Sequence, residues 1–154
     1  MKVSTLCFAI KDNEILLGMK KRGFGAGKWN GFGGKVSEGE GIGAAAAREL
    51  AEESSLAVEE KNLEPVALLN FFFEKEWVFQ CHVFLVRNWM GSPLESEEMK
   101  PQWFQIKNLP FDEMWIDDRE WLPLVLSGKT LEADFYFNSD GSAINDFKWK
   151  EKSF

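Results

Sequence analysis

The chain has 154 residues, 45% of them hydrophobic, and its 25 acidic side chains against 18 basic ones give a formal net charge of −7. This length and composition predict one domain, spanning residues 1–154, that buries a hydrophobic core of its own. The negative charge argues against a polymeric nucleic acid as partner, because such binding depends on many contacts between Lys or Arg and phosphates. No stretch approaches the roughly 20 apolar residues of a membrane span, so we expect no membrane association and no signal peptide.

The first half of the chain predicts a hairpin, a glycine-rich loop and a helix. Residues 3–10 and 14–19 have strand composition and are separated by turn residues, which indicates a hairpin. Six of the twelve residues from 23 to 34 are glycine, which is typical of a structured loop or a short strand with tight turns. Residues 44–56 are rich in good helix formers and contain neither Pro nor Gly, so they predict the first helix.

The second half predicts strands followed by a further helix and strand. Residues 64–73, 77–86 and 100–106 have strand composition, with a hairpin tip at 74–76. A second helix is expected near residues 112–127, broken or begun around Pro123, and a last strand at 133–138. The mostly polar tail after Ser139 is compatible with a strand or a frayed end. Two groups of strands, each followed by a helix, predict an α+β fold with a mixed sheet.

Two cysteines and one histidine offer little for a metal site or a disulfide. Cys7 and Cys81 lie in apolar-rich stretches and lack CxxC spacing, and only His82 adjoins one of them. We therefore expect two reduced thiols in the core, which favours a cytoplasmic location. His82 lies in an alternating strand pattern, so a packed structural role is favoured over a catalytic one.

Charge is unevenly distributed along the chain. Residues 15–37 contain five basic side chains and no acid, whereas residues 38–64 contain eight glutamates against Arg48 and Lys61. A basic, glycine-rich segment therefore adjoins a carboxylate-rich one.

Three glutamates share one side of the predicted first helix. Glu49, Glu52 and Glu53 stand at i, i+3 and i+4, and we expect their stripe to be separate from the core-facing arc that carries Ala46 and Leu50. Like charges at this spacing destabilise a helix by roughly 0.2–0.5 kcal/mol per pair. Clustered carboxylates suit Mg²⁺ or Mn²⁺, which prefer oxygen ligands, although an acidic stripe by itself is more often a solvated face.

A longer motif surrounds these glutamates. The segment 34–56, GKVSEGEGIGAAAARELAEESSL, resembles the signature of the Nudix hydrolases, G-x5-E-x7-R-E-U-x-E-E-x-G-U, in which U is a bulky aliphatic residue. Ser55 replaces the last glycine of the signature, at the end of the helix, where we expect it to adopt the left-handed conformation that glycine favours. The matching residues are Gly34, Glu40, Arg48, Glu49, Leu50, Glu52, Glu53 and Leu56.

The resemblance implies a fold and a reaction. Nudix hydrolases have an α/β/α sandwich with a central mixed sheet and cleave a pyrophosphate bond in nucleoside diphosphate derivatives, with Mg²⁺ bound by the signature helix. Water attacks phosphorus, so no side-chain nucleophile is required. By this resemblance Arg48 orients the glutamates, with Glu40 as an ion-pair partner. The implied ligands of Mg²⁺, or of Mn²⁺, are the Gly33 carbonyl and the carboxylates of Glu49, Glu52 and Glu53.

Segments outside the signature narrow the resemblance to one branch of the family. They are similar, in order and spacing, to segments of the oxidised purine nucleoside triphosphatases, and the likeness extends over about residues 6–138. It implies that the chain removes pyrophosphate from small-molecule substrates such as 8-oxo-dGTP and 2-oxo-dATP, leaving the monophosphate and clearing the nucleotide pool. We expect a monomer. The segments are residues 16–36, 82–84, 91–99, 103–105 and 109–121.

The same resemblance implies which residues contact the substrate. Asn30, Asp117 and Asp118 would recognise the purine. Two adjacent carboxyls in an apolar pocket cannot both ionise cheaply, so one can keep a proton and donate while the other accepts; composition alone would favour a helix N-cap for this pair. The other implied contacts are the apolar walls Trp115, Phe24, Phe72 and Met99 and the rim residues Thr5 and Lys20.

Glu98 completes the implied catalytic set. It matches a carboxylate that reaches the metal site, as a further ligand or as the base that activates water; by itself it would be interpreted as an exposed loop acid. The catalytic candidates are therefore Glu53, Glu52, Glu98 and Arg48.

Departures from this pattern leave the substrate open. Ile116 replaces a proline before the Asp pair, and Asn70 stands where an aromatic residue is expected. A Nudix enzyme acting on a dinucleoside polyphosphate, a sugar nucleotide or a capped RNA end is the nearest alternative. A nucleotide-binding sensor without turnover is disfavoured, because Glu49, Glu52 and Glu53 are all present.

Overall fold

Eight β-strands and two α-helices make up the computed structural model, which describes residues Met1–Phe154. Three short 3₁₀ turns, at Glu60–Asn62, Ile106–Asn108 and Phe111–Glu113, lie between them. In chain order the elements are β1 (Lys2–Lys11), β2 (Glu14–Lys20), β3 (Trp29–Asn30), α1 (Ile42–Ser54), β4 (Leu63–Phe73), β5 (Glu76–Val86), β6 (Met99–Gln105), α2 (Asp118–Leu126), β7 (Leu131–Phe137) and β8 (Ile144–Glu151).

The strands form one mixed sheet in the order β3-β2-β1-β5-β4-β7-β8, and β6 also pairs with β2. β1 runs parallel to β5 and β4 runs parallel to β7, whereas the other pairs are antiparallel. β1 and β2 share only two residue pairs next to their hairpin turn. Beyond them the edge of β1 bonds instead to the segment that contains Phe32 and Lys35. The glycine-rich segment thus enters the sheet where β1 and β2 separate.

The side chains of each strand alternate between two cores on opposite faces of the sheet. In β1, Phe8 belongs to the core that includes Trp121 of α2. Its neighbour Cys7 belongs to the core that includes Ala46 and Leu50 of α1. We call these the α2-side face and the α1-side face. Because the two helices cover opposite faces, the predicted α+β class and α/β/α sandwich are confirmed.

The turns and the tail follow from local sequence. Glu74 and Lys75, with φ values of 51° and 70°, join β4 to β5 in a two-residue hairpin at the predicted tip. The glycine-rich segment is a loop followed by the short strand β3. The tail after Ser139 is not frayed, because it forms β8 at the edge of the sheet against β7.

The prediction that the second helix breaks or begins at Pro123 is wrong. α2 begins at Asp118 and contains Pro123, while the residues before it form the separate turn Phe111–Glu113. A proline inside a helix removes one hydrogen bond, here the bond to the Arg119 carbonyl. Pro123 and Arg119 are both exposed, so the loss falls on the solvent side of α2 and the helix continues through it.

Cys7 and Cys81 are free and buried, each in a different core, which confirms the expected core thiols. His82 is half-buried on β5, and burial lowers its pKa. Neither helix has the length and apolar character needed to cross a membrane.

Candidate active site

Helix α1 carries the three glutamates and packs on the sheet through Ala46 and Leu50, both fully buried. The helix is followed by Ser55, whose φ of 67° and ψ of 11° lie in the left-handed region. The Ser55 N–H donates to the Ala51 carbonyl at 3.0 Å. Serine therefore adopts here the conformation expected from the position of the signature glycine.

Glu53 does not lie on a stripe separate from the core, because only 7% of its surface is exposed. It follows Ala46 by seven residues and Leu50 by three, which places it on the core-facing arc of α1. The predicted separation of the acidic and core-facing arcs is therefore wrong for this residue. Its Oε1 accepts a 2.9 Å hydrogen bond from the Gly33 N–H.

The surroundings of Glu53 disfavour its negative charge. Burial, the largest cause, and the carboxylates of Glu49 and Glu98 raise its pKa to about 7, while the Gly33 amide and Lys20 act in the opposite direction. The carboxyl group is thus buried next to two like charges, a position at which additional positive charge is favourable.

Arg48 joins the remaining carboxylates of the segment. Its Nε and Nη2 donate to the two carboxylate oxygens of Glu40 at 2.8 and 3.0 Å. Its Nη1 donates to Glu49 at 2.9 Å and to Glu52 at 3.3 Å. The expected ion pair with Glu40 is therefore present, and Arg48 also pairs with Glu52 one helical turn away. The hydrogen bonds from Arg48, with one from the Ser37 amide, lower the pKa of Glu40 to about 2.

Gly33 and Gly34 allow the chain to pass between β1 and α1. A Cβ atom on Gly33 would lie 1.8 Å from the Thr5 carbonyl oxygen, and a Cβ atom on Gly34 would lie 2.6 Å from the Glu49 carboxyl carbon. Real Cβ contacts are essentially never below 3.0 Å. Only glycine therefore fits at either position without displacement of its neighbours.

The Gly33 carbonyl faces away from β1. The carbonyls of Phe32 and Gly34 accept hydrogen bonds from β1 at 2.7 and 2.9 Å. Successive carbonyls of an extended chain point in opposite directions, and the N–H and C=O of one residue point the same way. Since the Gly33 N–H is directed at Glu53, its carbonyl is directed toward the same side.

Glu98 is bonded to the basic loop after β2. Its carboxylate accepts hydrogen bonds from Arg22 Nε at 2.9 Å and from Lys20 Nζ at 3.3 Å, and its backbone carbonyl accepts the Lys21 N–H at 2.8 Å. The hydrogen bonds from Arg22 and then Lys20 lower its pKa. The turn that carries Glu98 adjoins the last turn of α1, because the Ser96 hydroxyl donates to the Glu53 carbonyl at 3.0 Å.

No three His, Cys, Asp or Glu side chains of the chain are grouped in a way that would hold a metal ion. Arg48 bonds to Glu49 and Glu52, and Glu98 bonds to cations of the loop. The donor set nevertheless fits Mg²⁺ or Mn²⁺ in its chemistry, since it consists of carboxylate oxygens and the Gly33 carbonyl around a buried carboxyl with a raised pKa. Binding would require Glu49, Glu52 and Glu98 to exchange a bond to Arg or Lys for one to the cation.

Asp117 and Asp118, at the start of α2, are 7% and 2% exposed. Asp117 Oδ2 accepts the indole N–H of Trp121 at 2.9 Å, and Asp118 Oδ2 accepts the backbone N–H of Trp115 at 3.1 Å. Asp117 occupies the N-cap position, but its side chain makes no capping hydrogen bond. The alternative of a simple N-cap therefore does not describe it.

Burial governs the protonation of this pair. It raises the pKa of Asp117 to about 6 and raises that of Asp118 well above its usual value, with the Asp117 charge as the second cause for Asp118. The hydrogen bond from Trp121 favours ionised Asp117. The pair is therefore able to offer one donor and one acceptor near neutral pH.

An aromatic and basic wall stands beside the Asp pair. The rings of Trp115 and Phe24 are 5.0 Å apart between centroids, and Phe24 is 87% exposed. Lys28 Nζ lies 5.3 Å from the Trp115 ring centre. Asn30 is half-buried on β3; its Oδ1 accepts the Gly31 N–H at 2.8 Å, and its amide NH₂ donates to no group of the chain.

Three residues expected to contact the substrate do not lie on the face of the sheet that carries the Asp pair. Phe72 faces the α1 side, where its ring stacks on Tyr136 at 4.6 Å, whereas the Asp pair contacts the α2-side core through Trp121. Met99 is 3% exposed within the α1-side core. Thr5 lies beside Gly33, on β1, and its buried hydroxyl has no hydrogen-bond partner.

Other aromatic residues occupy the face that Phe72 was expected to line. Phe71 and Phe73 precede and follow Phe72 and pack with the α2-side core. Asn70, which is 4% exposed on the α1-side face, bonds to two carboxylates of β7 there. Side chains of a strand alternate between its two faces, so Phe71 and Phe73 must lie on the face opposite to Asn70. This alternation is the sequence signal that could have identified them. The aromatic residues of the α2-side face that the sequence analysis did not single out are Phe71, Phe73, Phe79 and Phe137.

Two relatives are similar over most of the chain. An oxidized purine nucleoside triphosphate hydrolase from Danio rerio is 50% identical over 137 residues, which cover 88% of this chain and 86% of that protein. The protein of the same name from Mus musculus is 45% identical over 145 residues, which cover 94% of this chain and 92% of that one.

Solved structures show the same fold. The crystal structure of the mutator MutT protein from Bacillus halodurans has a TM-score of 0.83 to this chain at 24% identity, and the match covers 97% of this chain and 98% of that one. The MutT NUDIX hydrolase from Burkholderia pseudomallei has a TM-score of 0.63 at 28% identity, covering 71% of this chain and 86% of that one. Residues 1–125 match the family model described as the NUDIX domain, and the chain therefore belongs to the NUDIX domain family.

Proposed function

We propose that the chain hydrolyses oxidised purine nucleoside triphosphates, such as 8-oxo-dGTP and 2-oxo-dATP, to the monophosphate and pyrophosphate. The observation that carries this proposal is the buried pair Asp117 and Asp118 beside the ring of Trp115. Two relatives that are 50% and 45% identical bear the name of this activity. Such a reaction would remove damaged nucleotides from the pool before a polymerase uses them.

The Asp pair supports recognition of a base by hydrogen bonding. A protonated Asp118 donates to an oxygen or nitrogen of the purine, while an ionised Asp117 accepts from an N–H group. The amide of Asn30 supplies a further donor, because it has no partner within the chain. A change in which carboxyl holds the proton would let one pocket accept differently oxidised purines.

The rings of Trp115 and Phe24 provide the apolar surface for the base. Phe24 is 87% exposed and contacts Trp115, so it can pack on a planar ligand with little rearrangement of the core. Phe72, Met99 and Thr5 do not adjoin the Asp pair, so we assign them no contact with the base. The side chains of Phe71 and Phe73 lie on the same face of the sheet as the Asp pair and are the better candidates.

We assign cation binding to the residues on the side of α1 that faces Gly33. The ligands would be the Gly33 carbonyl and the carboxylates of Glu49, Glu52, Glu53 and Glu98. Bound Mg²⁺ or Mn²⁺ supplies charge neutralisation at the phosphates and acidification of the attacking water. Arg48 keeps Glu49 and Glu52 on one side of the helix, and we propose that the buried Glu53 carboxylate also accepts the proton of that water.

The basic loop supports binding of the triphosphate. Lys20 and Arg22 lie beside Glu98 at distances of 3.3 and 2.8 Å, so they adjoin the carboxylates assigned to the cation. Their charges favour an anionic substrate at this place. Water attacks the β-phosphorus of the triphosphate or the neighbouring α-phosphorus, and the bond from that atom to the oxygen bridging the two breaks. The products are pyrophosphate and the nucleoside monophosphate.

A panel of substrates tests the proposal. The chain is assayed at equal concentrations of 8-oxo-dGTP, 2-oxo-dATP, dGTP, a dinucleoside polyphosphate, a sugar nucleotide and a capped RNA, with and without Mg²⁺. We expect the highest kcat/KM for the oxidised triphosphates and no turnover without the cation. A higher kcat/KM for the dinucleoside polyphosphate, the sugar nucleotide or the capped RNA than for the oxidised triphosphates would show a different pyrophosphohydrolase activity. Binding of a nucleotide without turnover would indicate a sensor.

We further propose that the chain acts as a monomeric single domain in the cytoplasm, without a polymeric nucleic acid as partner. The two buried free thiols support a reducing compartment, and the net charge of −7 disfavours nucleic acid. Sedimentation at micromolar concentration tests the monomer.

A further inference from the structure

The loop between β5 and β6 is bonded to the end of α1. The Ser96 hydroxyl donates to the Glu53 carbonyl at 3.0 Å, and the Leu94 N–H donates to the Ser54 carbonyl at 2.9 Å. Carbonyls in the last turn of a helix have no partner within the helix. Here the loop supplies those partners, so it caps the helix that carries the candidate cation ligands.

The Ser96 hydroxyl also closes a short turn with Met99. It accepts the Met99 N–H at 3.1 Å, and the Ser96 N–H donates to the Met99 carbonyl at 2.9 Å. Met99 is 3% exposed and begins β6. The turn is therefore fixed to the core at one end and to α1 at the other, and Glu98 lies between these two attachments.

Glu53 and Glu98 are brought together from different elements. Glu53 lies in the last turn of α1 and Glu98 in the turn of residues 96–99, and the 3.0 Å hydrogen bond from the Ser96 hydroxyl to the Glu53 carbonyl joins these two segments. Arg22 and Lys20 hold the Glu98 carboxylate and the Gly33 N–H holds that of Glu53, but none of these contacts joins the backbone of one glutamate to that of the other. The one side chain that bonds to the backbone of Glu53 and to the turn carrying Glu98 is that of Ser96.

We propose that Ser96 is a positioning residue, whose hydroxyl fixes the turn of residues 96–99 on the last turn of α1 and thereby sets the separation of the Glu53 and Glu98 carboxylates. The inference rests on the proposed function, in which both carboxylates bind the same cation. Ser96 contacts neither substrate nor cation, and it acts through Glu98.

A double-mutant cycle tests whether Ser96 acts through Glu98. Mn²⁺ binding is measured by electron paramagnetic resonance for the wild type, Ser96→Ala, Glu98→Gln and the double variant. We expect Ser96→Ala to weaken Mn²⁺ binding by about fivefold to tenfold, the effect of one lost hydrogen bond. In the Glu98→Gln background the same change is expected to have less than about a twofold effect, because coupled residues are non-additive.

Two further variants separate positioning from folding. Ser96→Thr retains the hydroxyl, so we expect it to bind Mn²⁺ with the affinity of the wild type. Ser127→Ala is the matched control, since the Ser127 hydroxyl donates to the Leu124 carbonyl at 2.7 Å at the end of α2; it should leave Mn²⁺ binding unchanged. In the cation-free protein, amide hydrogen exchange at Met99 should accelerate in Ser96→Ala and not in Ser127→Ala, because only the former removes its acceptor.

Additive effects of Ser96→Ala and Glu98→Gln would overturn the proposal, as would unchanged exchange at Met99. Failure of the proposed function gives a different result. In that case the wild type shows no preference for oxidised triphosphates in the substrate panel, whereas Mn²⁺ binding and its dependence on Ser96 remain measurable.

Discussion

Trp121, fully buried in the α2-side core, donates its indole N–H to Asp117 Oδ2 at 2.9 Å. The bond stabilises the ionised form of Asp117, and the charge of Asp117 then opposes ionisation of its neighbour Asp118. The two adjacent aspartates therefore differ, because the charge of Asp117 adds to burial in opposing the ionisation of Asp118. In the proposed function, Asp118 would be the proton donor of the pair and Asp117 the acceptor.

Substitution of each aspartate by asparagine should therefore have unequal effects. Asp118→Asn keeps a donor and should lower kcat/KM for 8-oxo-dGTP by less than about tenfold. Asp117→Asn replaces the ionised acceptor and should lower it by roughly 10- to 150-fold, the range for loss of a hydrogen bond to a charged group. Neither variant should affect hydrolysis of a small pyrophosphate without a base. Asp112→Asn, at a side chain that is 98% exposed, is the control, and equal losses on both substrates would contradict the assignment.

The raised pKa values of the pair also predict a dependence of stability on pH. Between the unfolded pKa of 3.8 and the higher folded values, the folded state binds more protons than the unfolded state. The free energy of unfolding then falls as pH rises, by up to about 1.4 kcal/mol per pH unit for each such group. The double variant Asp117→Asn/Asp118→Asn lacks these groups. Its free energy of unfolding relative to the wild type should therefore increase steadily as the pH rises from 4 to about 6, and further above pH 6. Urea denaturation at unit pH intervals measures this difference, and parallel curves for the two proteins would refute it.

Glu53→Gln separates chemistry from folding. Glutamine keeps an acceptor for the Gly33 N–H and removes a charge that burial disfavours, so the Tm should stay the same or rise. Turnover of 8-oxo-dGTP should fall by at least about 100-fold, because a cation ligand and proton acceptor is lost. The Kd of the product monophosphate, measured by calorimetry, should change by less than about threefold. Glu113→Gln, at an exposed position, should change none of these quantities; turnover unchanged in Glu53→Gln would exclude the assigned role.

Alanine substitutions of neighbouring glycines should affect different properties, namely stability at Gly33 and cation binding at Gly34. Gly33→Ala places its Cβ against the backbone oxygen of Thr5, and overpacking of this type costs roughly 1–3 kcal/mol or more. The Tm should fall by at least about 2 °C. Gly34→Ala meets only the end of the Glu49 side chain, so it should weaken Mn²⁺ binding more than it lowers the Tm. Gly41→Ala is the control, since no atom lies within 4 Å of its Cβ and its φ is −71°; equal Tm values for Gly33→Ala and Gly41→Ala would contradict this explanation.

Local sequence was sufficient for most elements of the fold. The two-residue turn at Glu74 and Lys75, the absence of Pro and Gly from residues 44–56, and the alternation of the strands are short-range features, and the corresponding elements form where expected. The same holds for the pairing of Arg48 with Glu40 and Glu52, because one turn of helix and a short loop bring these charges together. The chemical identity of the carboxylate set was therefore readable without tertiary contacts.

Other features depend on which surfaces pack against each other, and they required the tertiary structure. The burial of Glu53 follows from the approach of Gly33 to α1, which adjacent residues do not encode. Phe72 was assigned to the pocket, but three consecutive phenylalanines do not by themselves indicate which face of the sheet each occupies; pairing of β4 with β5 and β7 decides it. The attachment of Glu98 to Lys20 and Arg22, and of Ser96 to Glu53, joins segments that are distant along the chain. Sequence alone thus determined which chemical groups are available, whereas long-range packing decided their burial, their partners and their charge.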